Sequence, residues 1–264
     1  MPGQSPGLLQ ELHLLTPDGA LNADARRKLK QVNHLVGLLR PALTDVFRRF
    51  GEPQVVDAGA GNAYLSFVLY ELFFQEKGQL VCVETRPDLV TRARARAARL
   101  GFSRLRFVES ALESAALPER IHLLVALHAC DTATDDALAL ALARNADHVA
   151  VVPCCQAEVA QFLKSHPPAD DSLSGLLSAH PWHRREYASH LTNVARAFAL
   201  EACGYRVMVT ELTGWEHSLK NELILGQRVR KENPTAMVAL QKLADGAGAL
   251  PRFARAVLTR TLRA

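Results

Sequence analysis

One acid and two glycines stand at alternate positions in the first quarter of the chain, at Asp57, Gly59 and Gly61. Two valines directly precede the acid, and such β-branched residues are typical of a central parallel strand. Glycines at the following turn let the backbone approach a ligand closely, because no Cβ atom stands in the way. Two cofactor classes use such a turn. The dinucleotide class requires G-x-G-x-x-G, and Tyr64 stands at its third glycine position, so that pattern fails.

A second acid, Glu84, ends an apolar run at 79–84 that predicts the second buried strand. Ligands of α/β folds bind beyond the carboxyl ends of the strands, where an acid can accept the ribose hydroxyls of an adenosine. Glu84 follows Gly61 by roughly 20 residues, the separation expected for this role. We therefore interpret Glu84 as a binding residue rather than as an exposed strand end.

The acid-x-Gly-x-Gly turn that starts at Asp57 resembles motif I of class I S-adenosylmethionine (SAM) methyltransferases, with Ala63 in place of the usual third glycine. In that family the turn cradles the methionine part of the cofactor, and the acid holds its ammonium directly or through water. The resemblance implies SAM as the cofactor, with adenine near Ser110 and Ala111 after the third strand. The implied cofactor contacts are Asp57, Gly59, Gly61, Asn62, Glu84, Thr85, Ser110, Ala111 and His128.

Two further groups of chemically active residues follow the predicted fourth and fifth strands, at 128–131 and 153–156. Both are expected at the carboxyl ends of adjacent strands, facing the cofactor. Together with Asn221 they are similar to a sparsely characterised branch of class I methyltransferases whose relatives include RNA-modifying enzymes. The similarity covers roughly residues 28–228. The candidate catalytic residues are Pro153, Cys154, Cys155, Gln156, His128 and Asp131.

Residues 153–156 allow several interpretations. They can replace the loop of amino methyltransferases, whose acceptors bind an exocyclic amine while an aromatic residue stacks on a flipped base. They also resemble the Pro-Cys-Gln loop of cytosine-C5 methyltransferases, in which a thiolate attacks the ring. Cys154 and Cys155 can instead be small residues packed beneath the cofactor. A metal site with His128 and Cys130 matches no C-x₂-C spacing, so no metal is predicted. His128 and Asp131 can form a general-base pair or orient a substrate.

Strands that alternate with helical segments predict an α/β fold, a Rossmann-like, doubly wound and mostly parallel seven-stranded sheet. Residues 1–25 are expected to be loop-like. A helix is expected from Asp24 to about Pro41, followed by a second helix at 42–50. A mobile loop is expected at 165–178 and a helix at 191–203. The predicted strands begin at Val55 and continue at 79–84, 105–108, 121–127, 148–152, 205–211 and 222–226.

The 264 residues divide into a predicted N-terminal helical extension at 1–50, a SAM-dependent methyltransferase domain at 51–228 and a basic helical tail at 229–264. No apolar run is long enough to span a membrane, and no secretory signal is recognised at the N-terminus. The five cysteines are an odd number without a disulfide spacing, which favours reduced thiols in the cytoplasm.

The net charge of +4 and the pI of about 8.9 come largely from the tail. Clustered cations attract polyanions, and residues 181–187 add aromatic groups suited to base stacking. We therefore predict methyl transfer to a nucleic-acid base, first of all adenine N6 in DNA. The alternatives are tRNA or rRNA, a protein or small molecule, and a non-catalytic binding module. The oligomeric state is left open. The basic residues after Gln227 are Arg228, Arg230, Lys231, Lys242, Arg252, Arg255, Arg260 and Arg263.

Overall fold

A single sheet organises the residues described by the computed structural model, which are 4–16, 19, 23–127, 131–153, 156–212 and 222–261. Its strands are β1 (Gln54–Ala58), β2 (Gln79–Glu84), β3 (Leu105–Glu109), β4 (Leu123–Ala126), β5 (His148–Val151), β6 (Tyr205–Glu211) and β7 (Glu222–Arg228). Their order is β3-β2-β1-β4-β5-β7-β6. Only β7 runs antiparallel to its neighbours. The predicted Rossmann-like, doubly wound fold is therefore confirmed.

Helices cover both faces of the sheet. They are α1 (Pro6–Glu11), α2 (Ala23–Arg49), α3 (Tyr64–Phe73), α4 (Pro87–Arg99), α5 (Thr132–Ala143), α6 (Ala157–Ser165), α7 (Leu173–Ser178), α8 (Pro181–Ala202), α9 (Pro234–Ala247) and α10 (Arg252–Thr261). Among the described residues, every helix is too short or too polar to cross a bilayer.

Alternate residues of each strand face two different helical layers, as the two-residue period of a strand requires. Val55 and Leu123 pack with α1 to α4 on one face. Val56 and Leu124 pack with α5, α8, α9 and α10 on the other face. Because both faces are covered, the central strands carry consecutive apolar residues, such as Val55 with Val56 and Leu123 with Leu124, instead of alternating with polar ones.

The prediction that a helix ends near Pro41 is wrong, because α2 continues through this proline to Arg49. A proline inside a helix costs roughly 3 kcal/mol, mainly for a lost hydrogen bond and a steric clash. The apolar stripe of α2 is buried on both sides of Pro41, at Leu39 and Leu43 among others. Each such leucine contributes roughly 1.5–3 kcal/mol when buried, so packing outweighs the proline.

Short helices occur in two segments that were expected to be loops. In the first, α1 starts after Ser5, whose Oγ accepts the Leu8 N–H at 3.2 Å. In the second, α7 starts after Ser172, whose Oγ accepts the Gly175 N–H at 3.0 Å. Both are serine N-caps, which stabilise even a single helical turn. Similarly, α8 begins ten residues before the predicted Leu191, at Pro181, because proline is favoured in the first turn of a helix.

The predicted basic tail is helical and packs against the sheet domain. Leu240 of α9 and Phe253 and Val257 of α10 are buried in the same core as α5 and α8. Arg252 and Arg255 form ion pairs with Asp136 and Glu158. The three-part division at residues 50 and 228 stays a prediction, but the last segment shares its core with the rest of the described chain.

Candidate cofactor and substrate site

The strand order reverses around β1, which pairs with β2 on one side and with β4 on the other. In doubly wound sheets this reversal opens a crevice beyond the carboxyl ends of the strands. Asp57 lies on β1 and Glu84 is the last residue of β2, so both predicted acids stand at this crevice. Asp131 and Gln156 follow β4 and β5 along the same edge.

The turn after β1 is held against β2 by backbone hydrogen bonds. The N–H groups of Gly59 and Ala60 donate to the Val83 carbonyl at 2.9 and 3.0 Å. Gly59 and Gly61 have φ angles of 72° and 59°, which glycine adopts without strain. If Gly61 carried a Cβ atom, Arg86 Nη2 would lie 3.7 Å from it. Apart from the two residues that adjoin Gly61, no other described residue would have an atom within 4 Å. Among the described residues, the Arg86 side chain therefore stands between this position and a ligand.

Asn62 and Ala63 complete the turn and lead into α3. Asn62 is exposed beside the open backbone. Ala63 has a φ angle of 55°, and its N–H donates to the Ala60 carbonyl at 2.8 Å. The left-handed conformation explains why a glycine is usual at this position of motif I, since glycine has no Cβ atom to strain the turn.

Asp57 is buried beneath the turn. Its Oδ2 accepts a hydrogen bond from Ser66 Oγ at 2.6 Å. Burial raises the pKa of Asp57 to about 6, and the nearby charge of Glu84 adds to this effect, whereas the Ser66 hydrogen bond opposes it. Burial disfavours the ionised form of such a carboxyl group, and a cation beside it, such as the ammonium of an amino acid, favours the ionised form.

Glu84 has the opposite character. Burial alone would raise its pKa, but the Arg86 side chain, the N–H groups of Arg86 and Gly61, and the Arg86 charge together lower it to about 2. Glu84 is therefore ionised throughout the practical pH range. The Gly61 N–H donates to Glu84 Oε2 at 2.8 Å, which joins the acid of β2 to the glycine turn of β1.

The structure also places the other predicted cofactor contacts around this acid. Glu84 pairs with Glu109 in the sheet, so Ser110 and Ala111 lie next to it. The Ser110 N–H donates to the Glu84 carbonyl at 3.2 Å, and Ser110 Oγ donates to the Ala111 carbonyl at 2.9 Å. The Thr85 N–H donates to Glu84 Oε1 at 3.0 Å. That these residues contact a cofactor stays a prediction.

Several residues predicted for the strand ends of β4 and β5 lie outside the described part of the chain. The thiolate and metal interpretations depend on these residues and stay open for that reason. They are His128, Ala129, Cys130, Cys154, Cys155 and Asn221.

Asp131, proposed from sequence as half of a general-base pair, holds the start of α6. Its Oδ1 accepts the N–H groups of Ala157 and Glu158 at 3.0 and 3.1 Å. These are orphan donors of the first helical turn, so Asp131 acts as a cap from another loop. Its φ angle of 51° is uncommon for a residue other than glycine.

Gln156 is buried and uses both ends of its amide within the protein. Its Nε2 donates to the Pro153 carbonyl at 3.2 Å, and its Oε1 accepts from Ser189 Oγ at 2.8 Å. Asn193 lies 3.5 Å away on α8 and donates to Glu222 Oε2 at 3.0 Å. Gln156 therefore positions the loop after β5, and the Pro153 carbonyl keeps a second lone pair for another donor.

Arg196 was not predicted as part of this site. It is fully buried on α8 and donates to Asp135 Oδ1 and to the Asp131 carbonyl, both at 2.8 Å. A sequence signal did exist, because Arg196 stands within an apolar stretch of the helix, and a buried arginine requires a partner. Only the fold identifies Asp135 as that partner.

The described residues fit SAM, the cofactor implied by motif I. Asp57 provides a buried carboxyl group for an ammonium, and Glu84 provides a carboxylate for a ribose diol. The open backbone at Gly61 lies between these acids. These two acceptors thus match a ligand that carries one cationic amine and one sugar.

Comparison with known families gives a match to the family described as "Methyltransferase domain" over residues 27–162, slightly more than half of the chain. A human protein named "Glutathione S-transferase C-terminal domain-containing protein" is 27% identical over 229 residues, which cover 79% of this chain and 34% of that protein. Its Xenopus laevis counterpart is 24% identical over 232 residues, covering 80% and 36%. The chain therefore spans about a third of the length of the curated relatives it matches.

Two solved structures illustrate the similarity of fold. An rRNA methylase from Streptococcus thermophilus has 12% sequence identity and a TM-score of 0.46, covering 73% of this chain and 95% of that one. Magnesium protoporphyrin IX methyltransferase from Synechocystis PCC 6803 with bound S-adenosyl-homocysteine (SAH) has 13% identity and a TM-score of 0.48, covering 84% and 94%. Similarity at this level identifies no substrate.

Proposed function

The chain belongs to the methyltransferase-domain family, and on this premise we propose that it transfers a methyl group from SAM to a nucleic-acid base. SAM is its cofactor and, when bound, supplies an activated methyl group. The chain itself must bind the cofactor at Asp57 and Glu84, exclude water and align the acceptor atom with the methyl–sulfur bond.

An exposed tryptophan with a stacked arginine at the start of α8 carries this proposal. The Trp182 residue is 61% exposed, and the Arg185 guanidinium carbon lies 4.3 Å from the centroid of its ring. An indole face stacks on unpaired bases, and a guanidinium group contacts phosphate. This pair is therefore suited to a single-stranded nucleic acid.

The orientation of α8 places this pair beyond the crevice. Ser189 and Asn193, in the middle of α8, contact Gln156 after β5. The end of the helix leads to β6, which starts at the opposite edge of the sheet. With a rise of about 1.5 Å per residue, Trp182 stands roughly 10 Å further along the helix than Ser189. A strand bound at Trp182 can thus present a base to the crevice.

The basic tail contributes less to the proposal than its sequence suggested. Arg252 and Arg255 are engaged by Asp136 and Glu158, so their charges are largely compensated within the protein. At the start of α8, Arg185 Nε lies 3.5 Å from Glu186 Oε1, a longer and more exposed pair, so this arginine is the more readily available for a phosphate contact.

Within nucleic acids, the first target that we propose to test is adenine N6 in DNA, and the second is RNA, either tRNA or rRNA. Among the described residues, Gln156 is the one donor to the Pro153 carbonyl, so this carbonyl can accept from an exocyclic amine as well. Trp182 is an exposed aromatic residue that can stack on the base.

Transfer of a radiolabelled methyl group from SAM tests this function. The protein is incubated with single-stranded DNA, duplex DNA and RNA, and the labelled nucleosides are identified by mass spectrometry. We expect label in a base, with at least tenfold less label for Trp182→Ala and no change for Arg206→Ala, an exposed cation on β6. Absence of label from every nucleic acid would refute the substrate but leave the cofactor unaffected.

A protein substrate is the second candidate, and α7 favours it. Leu173, Leu176 and Leu177 face the solvent, whereas Gly175 and both serines of this helix are buried. A Cβ atom on Gly175 would clash with the Ala169 carbonyl at 2.0 Å, so this side of the helix must stay inside. An exposed apolar surface of this kind is typical of protein recognition.

One double variant distinguishes a nucleic-acid substrate from a protein substrate. Leu173→Ser with Leu176→Ser removes the apolar surface of α7 and leaves Trp182 and Arg185 in place. If the substrate is a nucleic acid, its methylation stays within about twofold of the unmodified protein. If the substrate is a protein, label that enters polypeptide in a cell extract is lost instead.

The cytoplasm is the compartment that we propose. The five cysteines carry no disulfide spacing. Cys82 is a buried free thiol on β2, and burial raises its pKa well above the usual value, so it is an unreactive part of the core. Fractionation of cells followed by immunodetection checks this assignment.

A further inference from the structure

Six hydrogen-bond donors surround the carboxylate of Glu84. Oε1 accepts from the N–H groups of Thr85 and Arg86 at 3.0 and 3.1 Å, from Arg86 Nε at 3.0 Å, and from Thr85 Oγ1 at 3.4 Å. Oε2 accepts from the Gly61 N–H at 2.8 Å and from Arg86 Nη2 at 3.2 Å. A carboxylate offers about four lone-pair positions, so this group has none left for a further ligand.

These donors differ in how easily they can leave. Three of them are backbone N–H groups, whose positions are set by the turn after β1 and by the connection from β2 to α4. One is the Thr85 hydroxyl, at the longest distance, and two belong to the Arg86 side chain, which is 62% exposed. The arginine of this ion pair is open to water, which replaces its hydrogen bonds when it leaves, whereas Glu84 is only 8% exposed. Arg86 therefore holds the two positions that a ligand can take over.

We propose that the Arg86 side chain is a latch on the ribose site. It occupies Glu84 in this structure and must swing aside before ribose hydroxyls can donate to this carboxylate. Nη2 also lies 3.7 Å from the Cβ position of Gly61, at the edge of the glycine turn. This inference rests on one part of the proposed function, the binding of SAM in the crevice.

The latch has two consequences for binding. First, the affinity for the cofactor is lower than the crevice alone would provide, because each binding event breaks the pair between Arg86 and Glu84. Second, a ligand needs two hydroxyls to replace the two donors that Arg86 withdraws. Because only a ligand that bonds to Glu84 must displace Arg86, the latch lowers the preference for ribose over sugars that lack these hydroxyls.

Calorimetric titration of the full chain with SAH measures the first consequence. Arg86→Met keeps most of the side-chain length but removes all donors, and we expect it to bind SAH roughly two- to fivefold more tightly. Arg86→Lys provides a point charge without the planar fork and should give an intermediate affinity. Arg92→Ala is the matched control, because it removes an exposed ion pair with Asp88 on the same helix and should change nothing.

An SAH analogue without the two ribose hydroxyls tests the second consequence. We expect Arg86→Met to leave its affinity unchanged while the affinity for SAH rises. An equal gain for both ligands would mean that Arg86 merely obstructs the crevice, and weaker SAH binding would mean that Arg86 contacts the cofactor. Either result overturns the latch while the cofactor assignment stands. If the unmodified protein does not bind SAH, the assignment and the latch fail together.

Discussion

Arg196 Nε donates to Asp135 Oδ1 at 2.8 Å, and both side chains are fully buried between α5 and α8. Burial raises the pKa of Asp135 although Arg196 opposes this effect, and Asp135 Oδ2 has no hydrogen-bond partner among the described residues. Arg196 Nη2 also donates to the Asp131 carbonyl, so the same arginine connects α8 to the loop after β4. This buried arginine therefore holds α5, α8 and the loop after β4 together.

Arg196→Met should be strongly destabilising. It leaves the carboxylate of Asp135 buried without a counterion and the Asp131 carbonyl without its donor. Removing one partner of a buried ion pair typically lowers the free energy of unfolding by about 3–5 kcal/mol. Urea unfolding followed by circular dichroism measures this loss.

The double variant Arg196→Met with Asp135→Leu is the control. Replacing both partners by apolar residues removes the unpaired charge, so we expect less destabilisation than in the single variant. A double variant that is less stable than the single variant would show that the charge is not the source of the loss.

Asp57 makes the protein less stable at neutral pH. The pKa of Asp57 is about 6 in the folded protein, whereas an unperturbed aspartate has a pKa of 3.8. The folded state therefore holds this proton more tightly than the unfolded state. The resulting stabilisation is complete below about pH 4 and is lost as the pH rises through about 6. With about 1.4 kcal/mol per pKa unit, Asp57→Asn should raise the free energy of unfolding by up to about 3 kcal/mol near pH 8. The two proteins should be equally stable near pH 4, which urea titrations at both pH values check.

The same proton links cofactor binding to pH. An ionised Asp57 attracts the ammonium of SAH, so we expect the affinity for SAH to fall by up to about tenfold per pH unit below pH 6. Glu84 does not contribute to this dependence, because its pKa of about 2 keeps it ionised. Adenosine carries no ammonium and is the control ligand, whose affinity should stay constant between about pH 5 and pH 8. A parallel loss for adenosine would contradict the role given to Asp57.

The sheet and its crevice were predictable from sequence because both depend on local patterns. Consecutive valines such as Val55 and Val56 are found where both faces of a strand are covered. An acid next to glycines at a strand end indicates a ligand. These signals require no knowledge of distant residues, so they placed Asp57 and Glu84 at the crevice.

The roles of the residues after β4 and β5 were not predictable, because their partners are distant in sequence. Asp131 caps a helix that begins 26 residues later, and Arg196 binds the Asp131 carbonyl from 65 residues away. Pro41 also shows the limit of local sequence patterns. A proline predicts the end of a helix, but α2 continues past Pro41 because the apolar residues on both sides of it are buried.

Substitutions of Asp131 separate its capping role from the general-base role suggested by the sequence. Asp131→Asn retains an oxygen that can accept the Ala157 and Glu158 N–H groups but cannot accept a proton from a substrate. If Asp131 is a cap, this variant keeps its methyl-transfer rate within about threefold. A general base would cost about a hundredfold or more in rate at unchanged SAH affinity.

Asp131→Ala and Asp131→Gly test the cap by stability alone. Both remove the acceptor of the α6 N–H groups, which we expect to cost about 1 kcal/mol. Glycine also removes the strain of the positive φ angle at this position, whereas alanine retains it. Asp131→Gly should therefore unfold at a higher urea concentration than Asp131→Ala. The reverse order would mean that the backbone at Asp131 is unstrained and that capping alone determines the residue.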